Sequence, residues 1–490
     1  MVYHPAALLP KKAKYSMEIR KFSQRTGLSL FCLMLLCPAF VATTPRVAAQ
    51  SRIGGAKTQS NLSTRLTGRT EVAAAPATAG QLIISEFRLN GPQGSNDEFI
   101  EIYNNSDTPH VVTTVDGSTG YGVVSASNTT LNDATPTLRC TIPNNTNIPA
   151  RGHFLCTNIA LNGYSLATYP SGNSTFATGD AIYLTDIPDN DGLALFNTNL
   201  VANFTIANRL DAVGSNAVTN SLYREGTGYN AITPFPLEYS FLRKLPGGCH
   251  GYNGNDNDDC NTNTAAANTP APSSSYPQDT DNNFSDFIYV NTNGTASGGG
   301  QARLGAPGPE NLSSPVANDL RAISNTNLDP SVANSDTPNR VRDMTSDASQ
   351  NSTFGTIDIR RTFTNNTGVA ITRLRFRIVD ITTFPTPGQF CNGGGTATNC
   401  IADLRARSSS DIVVSTSEGN KTVRGTTLEA TMPGGTSNQP GGGGWNSSLS
   451  AGNVTFAQPL NPGASVDVRF LLGVQKSGKF RFFVNIEALP

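Results

Sequence analysis

Short segments in which hydrophobic and polar residues alternate recur along the chain after residue 80. The clearest of them is Lys479–Glu487, and its hydrophobic face carries Phe480, Phe482, Val484 and Ile486. A repeat of two residues is the periodicity of a β-strand, and one-sided alternation is typical of an antiparallel sheet with one face on a core. The pattern therefore predicts sheets at the C-terminal end of the chain.

The same period occurs in Arg373–Val379, where Leu374, Phe376 and Ile378 are predicted to face inward, and in Ser465–Val474, whose hydrophobic positions are Val466, Val468, Phe470, Leu472 and Val474. Nearer the N-terminus, segments rich in β-branched and aromatic residues are separated by turns that contain Gly, Pro and Asn. They predict strands at Leu82–Phe87, Glu98–Tyr103, Tyr121–Ala126, His153–Thr157, Asp180–Thr185, Leu193–Asn197, Tyr239–Arg243 and Asp286–Val290. Because no segment has a convincing helical period, we predict an all-β protein with two immunoglobulin-like β-sandwich domains in tandem.

Changes in composition divide the chain into five parts. The predicted parts are a signal peptide (1–49), a disordered leader (50–80), a first β-sandwich (81–290), a linker rich in Gly, Pro, Ser and Asn (291–318) and a second β-sandwich (319–490). The leader is small, polar and without periodicity, which is typical of disorder. Linkers of the predicted composition commonly join independent domains.

The N-terminal segment has the three regions of a secretory signal peptide. Basic residues precede an apolar stretch at 28–42, and Val47-Ala48-Ala49 offers a cleavage site before Gln50; the true start is Met1 or Met17. An apolar stretch of that length falls short of the about 20 residues needed to span a bilayer. We therefore expect a protein that is secreted, periplasmic or held in the cell envelope, with no membrane span once the signal peptide is removed.

The amino-acid composition limits the kinds of functional site and partner that can be expected. Hydrophobic residues make up 37% of the chain and charged residues 14%, and there are four His and one Trp, so sites built from clustered His are not expected. Removing residues 1–49 takes away seven basic residues and one acidic residue, which leaves 28 basic and 35 acidic residues and a net charge of −7. A modestly acidic surface gives no general attraction for nucleic acid, so no nucleic-acid partner is expected.

Six cysteines remain after the signal peptide and form three local couples. The couples are Cys140 with Cys156, Cys249 with Cys260, and Cys391 with Cys400. Disulfides that close these short loops are the simplest arrangement in an exported protein, although six cysteines permit fifteen connectivities. Zinc is the rival interpretation, and the absence of any C-x-x-C pair disfavours it.

Two strand segments near residue 80 resemble the lamin-tail domain family. Leu82–Glu86 and Asp97–Asn104 are similar to the Ile-Ser-Glu and Glu-Phe-Ile-Glu-Leu-x-Asn strands that open those domains. Later parts of the family pattern are resembled by Gly179–Leu184, Gly192–Leu195, Asp211–Gly214 and Gln278–Phe287. The family usually has Gly-Trp after the second strand, and Val111–Gly122 lacks a Trp. The resemblance covers residues 81–310 and implies an immunoglobulin-like sandwich that serves as an interaction or accessory module.

Acidic, Asn-containing loops are the best candidate sites for a metal. Calcium prefers six to eight oxygen ligands, which such loops offer, but Asp and Asn are also common turn residues and no EF-hand spacing occurs. The candidate calcium ligands are Asp186, Asp189 and Asp191 in one loop, Asp256, Asp258 and Asp259 between two cysteines, and Asp279 and Asp281 in a third loop. Calcium is the one candidate cofactor.

Two further groups of charged residues could carry function. Arg373, Arg375 and Arg377 are predicted to form an outward row that either binds a polyanion or belongs to a solvated, partly ion-paired sheet face. Glu98 and Glu101 are an odd number of residues apart, so they project from opposite faces and cannot act as a glycosidase pair without a bulge.

We therefore expect an exported, non-enzymatic binding or structural module that presents loops to an unidentified protein or surface glycan. The alternative is a divalent-cation-dependent extracellular hydrolase, or its accessory domain, and a third possibility is a spacer in the envelope. No G-x-S-x-G, H-E-x-x-H or P-loop motif is present. A deep pocket with convergent carboxylates would favour the hydrolase, and dispersed acidic loops would favour the module.

Overall fold

The computed structural model describes residues 75–126, 136–167, 177–189, 191–231, 237–244, 277–294, 302–318, 321–383, 402–429, 442–452, 456–478 and 480–490. Strands make up 47% of the structure and helices 3%, so the all-β prediction is confirmed. No helix among these residues is long and apolar enough to cross a membrane. The predicted signal peptide and nearly all of the predicted leader lie outside the described residues.

The described residues of the first β-sandwich form thirteen strands. They are β1 (Leu82–Arg88), β2 (Phe99–Asn104), β3 (His110–Val111), β4 (Gly120–Ala126), β5 (Thr137–Pro143), β6 (Asn147–Ile148), β7 (His153–Asn158), β8 (Ala181–Tyr183), β9 (Gly192–Phe196), β10 (Arg209–Val213), β11 (Tyr239–Arg243), β12 (Phe287–Asn291) and β13 (Ala302–Leu304). A one-turn helix, α1 (Asn283–Asp286), and a 3₁₀ turn (Val201–Asn203) are its only described helices. One sheet has the order β13-β12-β11-β1-β2-β7-β8 and the other β10-β9-β4-β5.

In the second β-sandwich, the residues that the structure describes form twelve strands and a 3₁₀ turn (Ala348–Gln350). The strands are β14 (Val316–Asn318), β15 (Ile323–Asn327), β16 (Arg340–Asp343), β17 (Thr356–Asn365), β18 (Arg373–Ile381), β19 (Asp403–Arg407), β20 (Ile412–Thr416), β21 (Gly419–Val423), β22 (Thr426–Leu428), β23 (Ser448–Ala451), β24 (Ser465–Lys476) and β25 (Phe482–Leu489). Its sheets have the orders β14-β25-β18-β23-β22 and β15-β17-β24-β19, and β16 pairs with the free side of part of β17.

The alternation of hydrophobic and polar residues along the strands places the hydrophobic core on the predicted strand faces. In the second sandwich, Leu374, Phe376 and Ile378 of β18 are fully buried and pack with Phe470 and Leu472 of β24. These five side chains lie on the faces that the sequence pattern assigned to the core. Burial of each is worth about 1.5–3 kcal/mol relative to exposure, so the facing sheets supply much of the stability of this sandwich.

A β-bulge in β1 changes the facing of its side chains. The register of β1 against β2 shifts between Ile84 and Glu86, so that Glu86 lies opposite Glu101. Before the bulge Ile84 points into the first core, and after it Phe87 does so. Because one extra residue reverses the alternation, Glu86 projects from the other face of the sheet.

The seven-stranded sheet is buried on both faces. In β12, Phe287 and Tyr289 belong to the core of the first sandwich, whereas Ile288 and Val290 pack into the core cluster of the second. Leu242 of β11 also packs against the second cluster. The two sandwiches therefore meet through the back of this sheet, and residues 71–490 form one compact unit.

The predicted linker contains β13 and β14, and the residues between these strands lie within this contact. We call residues 305–312 the bridging segment. Within it, the main-chain N–H of Ala306 donates to Trp445 O at 3.0 Å, and that of Glu310 donates to Glu101 Oε2 at 2.6 Å. Both residues are almost fully buried. The bridging segment therefore joins the two sandwiches by hydrogen bonds as well as by covalent connection.

One of the three predicted disulfides falls on described residues and is confirmed. Cys140 of β5 is bonded to Cys156 of β7, with a Cα–Cα distance of 6.4 Å. The bond joins the two sheets of the first sandwich. The pairings of Cys249 with Cys260 and of Cys391 with Cys400 lie outside the described residues and stay predictions.

Candidate functional site

Among the described residues, a large group of buried ionisable side chains lies where the two sandwiches meet. We call this set the ionic junction, and each member is at most 8% exposed. Its members are Glu86, Glu101 and His153 from the first sandwich, Glu310 from the bridging segment, and Arg375, Arg377 and Glu487 from the second sandwich. Four carboxylates thus face two guanidinium groups and one imidazole.

Glu86 enters the junction because of the bulge in β1. Its Oε1 accepts hydrogen bonds from Ser240 Oγ at 2.6 Å, from the N–H of Gly308 at 2.9 Å and from Asn446 Nδ2 at 3.2 Å. Burial, followed by repulsion from Glu101, raises the pKa of Glu86 to about 7. Glu86 therefore holds a proton over much of the acidic pH range.

His153 lies between two carboxylates. Its Nδ1 is 3.0 Å from Glu101 Oε1, and its Nε2 is 3.0 Å from Glu310 Oε2. The Nδ1 contact is close but poorly aligned for a hydrogen bond. Ser85 Oγ donates the aligned hydrogen bond to Glu101 Oε1 instead.

The arginines of β18 compensate the carboxylates. Arg375 contacts both Glu310 and Glu487, and its Nε is 2.6 Å from Glu487 Oε2. Arg377 reaches the same two carboxylates at 3.1 Å and 3.0 Å. Burial alone would raise the pKa of Glu487, but the charges of Arg375 and Arg377 outweigh it and hold that pKa below its ordinary value.

The prediction that Arg373, Arg375 and Arg377 form an outward row is wrong. They share one face of β18, as the spacing indicated, but they are 0%, 1% and 8% exposed. Arg373 pairs with Glu429 at 2.5 Å, and the other two arginines pair as described above. The face opposite the core of the second sandwich is covered by the first sandwich, so these side chains are not available to a polyanion.

The junction surrounds a small cavity. Its volume is about 70 Å³, and its lining includes Glu86, Glu101, His153, Glu310 and Glu487. Pockets for small molecules measure about 300–1,000 Å³. The cavity is therefore well below the usual size of a small-molecule site.

Donor atoms of Glu101, His153 and Glu310 lie within 4.8 Å of one another, a spacing that a metal ion could use. Glu310 already contacts the guanidinium groups of Arg375 and Arg377. An added cation would be repelled by both arginines and would compete with them for the same oxygens. The cluster of Glu101, His153 and Glu310 is better explained as part of a structural ion network. Arg375 and Arg377 are the cations of this network.

A second buried network surrounds Arg243 of β11. Arg243 Nη2 is 2.7 Å from both carboxylate oxygens of Asp211, and Nη1 reaches Asp279 at 3.3 Å and Asp286 at 3.4 Å. Burial and the nearby Asp211 and Asp279 raise the pKa of Glu225 to about 9. Burial, with repulsion from Asp211, raises the pKa of Asp279 to about 6.

The predicted calcium ligands are distributed differently from the expectation. Asp279 belongs to the network around Arg243, where donor atoms of Asp211, Glu225 and Asp279 also lie within 4.8 Å of one another, whereas Asp281 is exposed and outside that group. The guanidinium of Arg243 already supplies a cation there, and both oxygens of Asp211 are occupied by it.

The other two predicted calcium loops give no convergent site on described residues. Asp189 accepts from Asn90 Nδ2 at 3.1 Å and Asp191 from Ser125 Oγ at 3.2 Å, whereas Asp186 is exposed. These three do not form a group of donors within 4.8 Å in the described part of the chain. Asp256, Asp258 and Asp259 lie outside the described residues, so that loop stays a prediction.

The comparisons with known proteins return no relative. No protein-family model matches the chain, and neither a curated protein nor a solved structure matches it.

Proposed function

We propose that the protein is an exported, non-enzymatic binding and structural module that presents the loops of two rigidly joined β-sandwiches to a protein or surface glycan. Loops on rigid sheets are the usual place for recognition in β-sandwich proteins. The resemblance of residues 81–310 to lamin-tail domains and the signal-peptide pattern at residues 1–49 support the same proposal.

The burial and mutual neutralisation of the ionic junction carry this proposal. Convergent carboxylates are what a hydrolase requires, and Glu86, Glu101 and Glu310 do converge. A hydrolase also needs an open cleft that admits substrate beside the carboxylates. Here the carboxylates surround a cavity of about 70 Å³, and Glu310 is held by Arg375 and Arg377. The geometry suits a structural contact better than a reaction centre.

The test measures binding and turnover on the same samples. The mature chain is incubated with a panel of neutral and acidic polysaccharides and with denatured protein, with and without Ca²⁺. We expect retention of at least one member of the panel and no new reducing ends or peptides. Turnover that is abolished in Glu101→Gln but kept in Glu98→Gln would overturn the proposal. Glu98 is the matched control because its carboxylate, also buried, bonds Asn158 and Ile187 away from the junction.

A further inference from the structure

A second cavity lies in the second sandwich, beside the edge strand β16. Its volume is about 320 Å³, at the lower end of the range for small-molecule sites. The lining side chains that matter here are Ser335, Arg340, Arg342, Ile357 and Phe480. The cavity thus combines two basic groups, a hydroxyl, an aliphatic side chain and an aromatic ring.

The two arginines have no carboxylate partner within 4 Å among the described residues. Arg340 Nε donates to the carbonyl oxygen of Ser335 at 3.3 Å, and its guanidinium lies 5.9 Å from the centre of the Phe480 ring. Arg342 donates to main-chain carbonyl oxygens of Asp343, Phe354 and Thr356. Neither guanidinium group therefore forms an ion pair within 4 Å among the described residues, although the charge of Asp343 acts on Arg342.

A third arginine lies close by. Arg361 donates to Asn334 and to the main-chain oxygen of Arg360, and it too lacks a carboxylate partner within 4 Å in the described part of the chain. Burial and the neighbouring charge of Arg340 lower the pKa of Arg361. By contrast, Arg360 on the same strand pairs with Asp358 at 2.8 Å. Three arginines without a carboxylate within 4 Å among the described residues therefore lie on this side of the sandwich.

We propose that this cavity binds an anionic sugar unit, with Arg340 and Arg342 holding its carboxylate or phosphate and Phe480 covering the apolar face of its ring. Guanidinium groups are well suited to both anions because their donors form a planar fork. The face of an aromatic ring packs on the C–H face of a sugar. The Ser335 hydroxyl donates to Asp336 Oδ1 at 2.9 Å, so its oxygen can still accept a hydrogen bond from a ring substituent. The proposal rests on the proposed function, for which it names the class of glycan.

The test is titration calorimetry of the mature chain with three probes: trigalacturonic acid, glucose 6-phosphate and maltotriose. We expect binding of at least one anionic probe and markedly weaker binding of neutral maltotriose. The preferred anionic probe tells whether carboxylate or phosphate is the natural group. Raising the salt from about 50 to about 500 mM should weaken binding, since exposed charges are screened.

Variants locate the site. The double variant Arg340→Gln with Arg342→Gln should lower the affinity about tenfold or more, because each lost contact is a charge-assisted hydrogen bond. Phe480→Leu should lower affinity several-fold while keeping the salt dependence. Arg424→Gln is the matched control, because Arg424 is half exposed, pairs with Asp411 and does not line the cavity. Unfolding temperatures of all variants show whether each is folded.

Some results would overturn the site without affecting the proposed function. They are equal affinity for maltotriose, equal loss in Arg424→Gln, and absence of heat with both anionic probes at millimolar concentration from a protein that still retains another glycan or a protein partner. If the double variant does not fold, salt-independent binding by the wild type overturns the proposal instead.

Discussion

Glu86 shows how one residue depends on its surroundings for its charge. Its Oε1 accepts three hydrogen bonds, which leaves Oε2 for a proton. Because burial and Glu101 raise its pKa from 4.5 to about 7, folding favours the protonated form. The stabilisation is complete below the unfolded pKa of about 4.5 and is lost as the pH rises through about 7.

We therefore predict that Glu86→Gln stabilises the protein at alkaline pH and has little effect at pH 5. Glutamine keeps the acceptor oxygen and replaces the protonated oxygen by an NH₂ group, so it resembles the protonated acid. The increase in the free energy of unfolding at pH 8 should be on the order of 3 kcal/mol. Chemical denaturation at both pH values measures it. Other buried acids, such as Glu98, titrate in both proteins and cancel in the difference.

A gain that is the same at pH 5 and pH 8 would contradict the assignment of the raised pKa to Glu86. Glu98→Gln serves as a comparison, since burial raises its pKa to about 8 at a site away from the junction. The stabilisation by Glu98→Gln should therefore appear at higher pH than the stabilisation by Glu86→Gln.

At the scale of single elements, β5 and β7 are joined by the disulfide between Cys140 and Cys156. The bond links an edge strand of the four-stranded sheet to the interior of the seven-stranded sheet. Because the loop between the cysteines is short and ordered at both ends, the bond limits how far the two sheets can separate.

We predict that replacing both cysteines by serine costs about 3 kcal/mol of unfolding free energy, the value for closing a loop of about 15 residues. Guanidinium denaturation without reductant compares the two proteins, so the other four cysteines are in the same state in each. A loss below about 0.5 kcal/mol would mean that the disulfide closes a loop which is already fixed by packing.

The sequence predicted several individual strands correctly. Alternation located β18, β24 and β25, and it assigned Leu374, Phe376 and Ile378 to a core. It did not predict the bulge after Ile84, because a bulge is a change of register with no residue signature of its own in this segment. Because the bulge was not predicted, the residue pattern did not indicate that Glu86 and Glu101 lie opposite each other.

At the scale of the whole molecule, the two sandwiches share their charges. The alternation of hydrophobic and polar residues indicates which side chains lie on the same face of a strand. It does not indicate what packs on that face. Arg375 and Arg377 therefore looked solvent-facing, and Glu310 and Glu487 gave no sign of being their partners. The partners come from a bridging segment and from a strand more than a hundred residues away, and only the fold brings them together.

We predict that Arg375→Ala destabilises the protein by about 3–5 kcal/mol, because it leaves Glu310 and Glu487 partly uncompensated in a buried site. Arg424→Ala, which breaks an exposed pair, should cost at most about 1 kcal/mol. Scanning calorimetry measures both. In the first variant we expect the transition to broaden or divide as the sandwiches lose coupling. Equal effects of the two variants would contradict a structural role for the junction.

The position of Glu310 has a consequence for inheritance. Gene recombination often moves sandwich domains as separable parts, and a break between two such domains would ordinarily fall in the segment that joins them. Here that segment carries a carboxylate required by His153 on one side and by Arg375 on the other. A break on either side of it would strand ionised groups in both products, so we expect the two halves to be retained or lost as a pair during evolution.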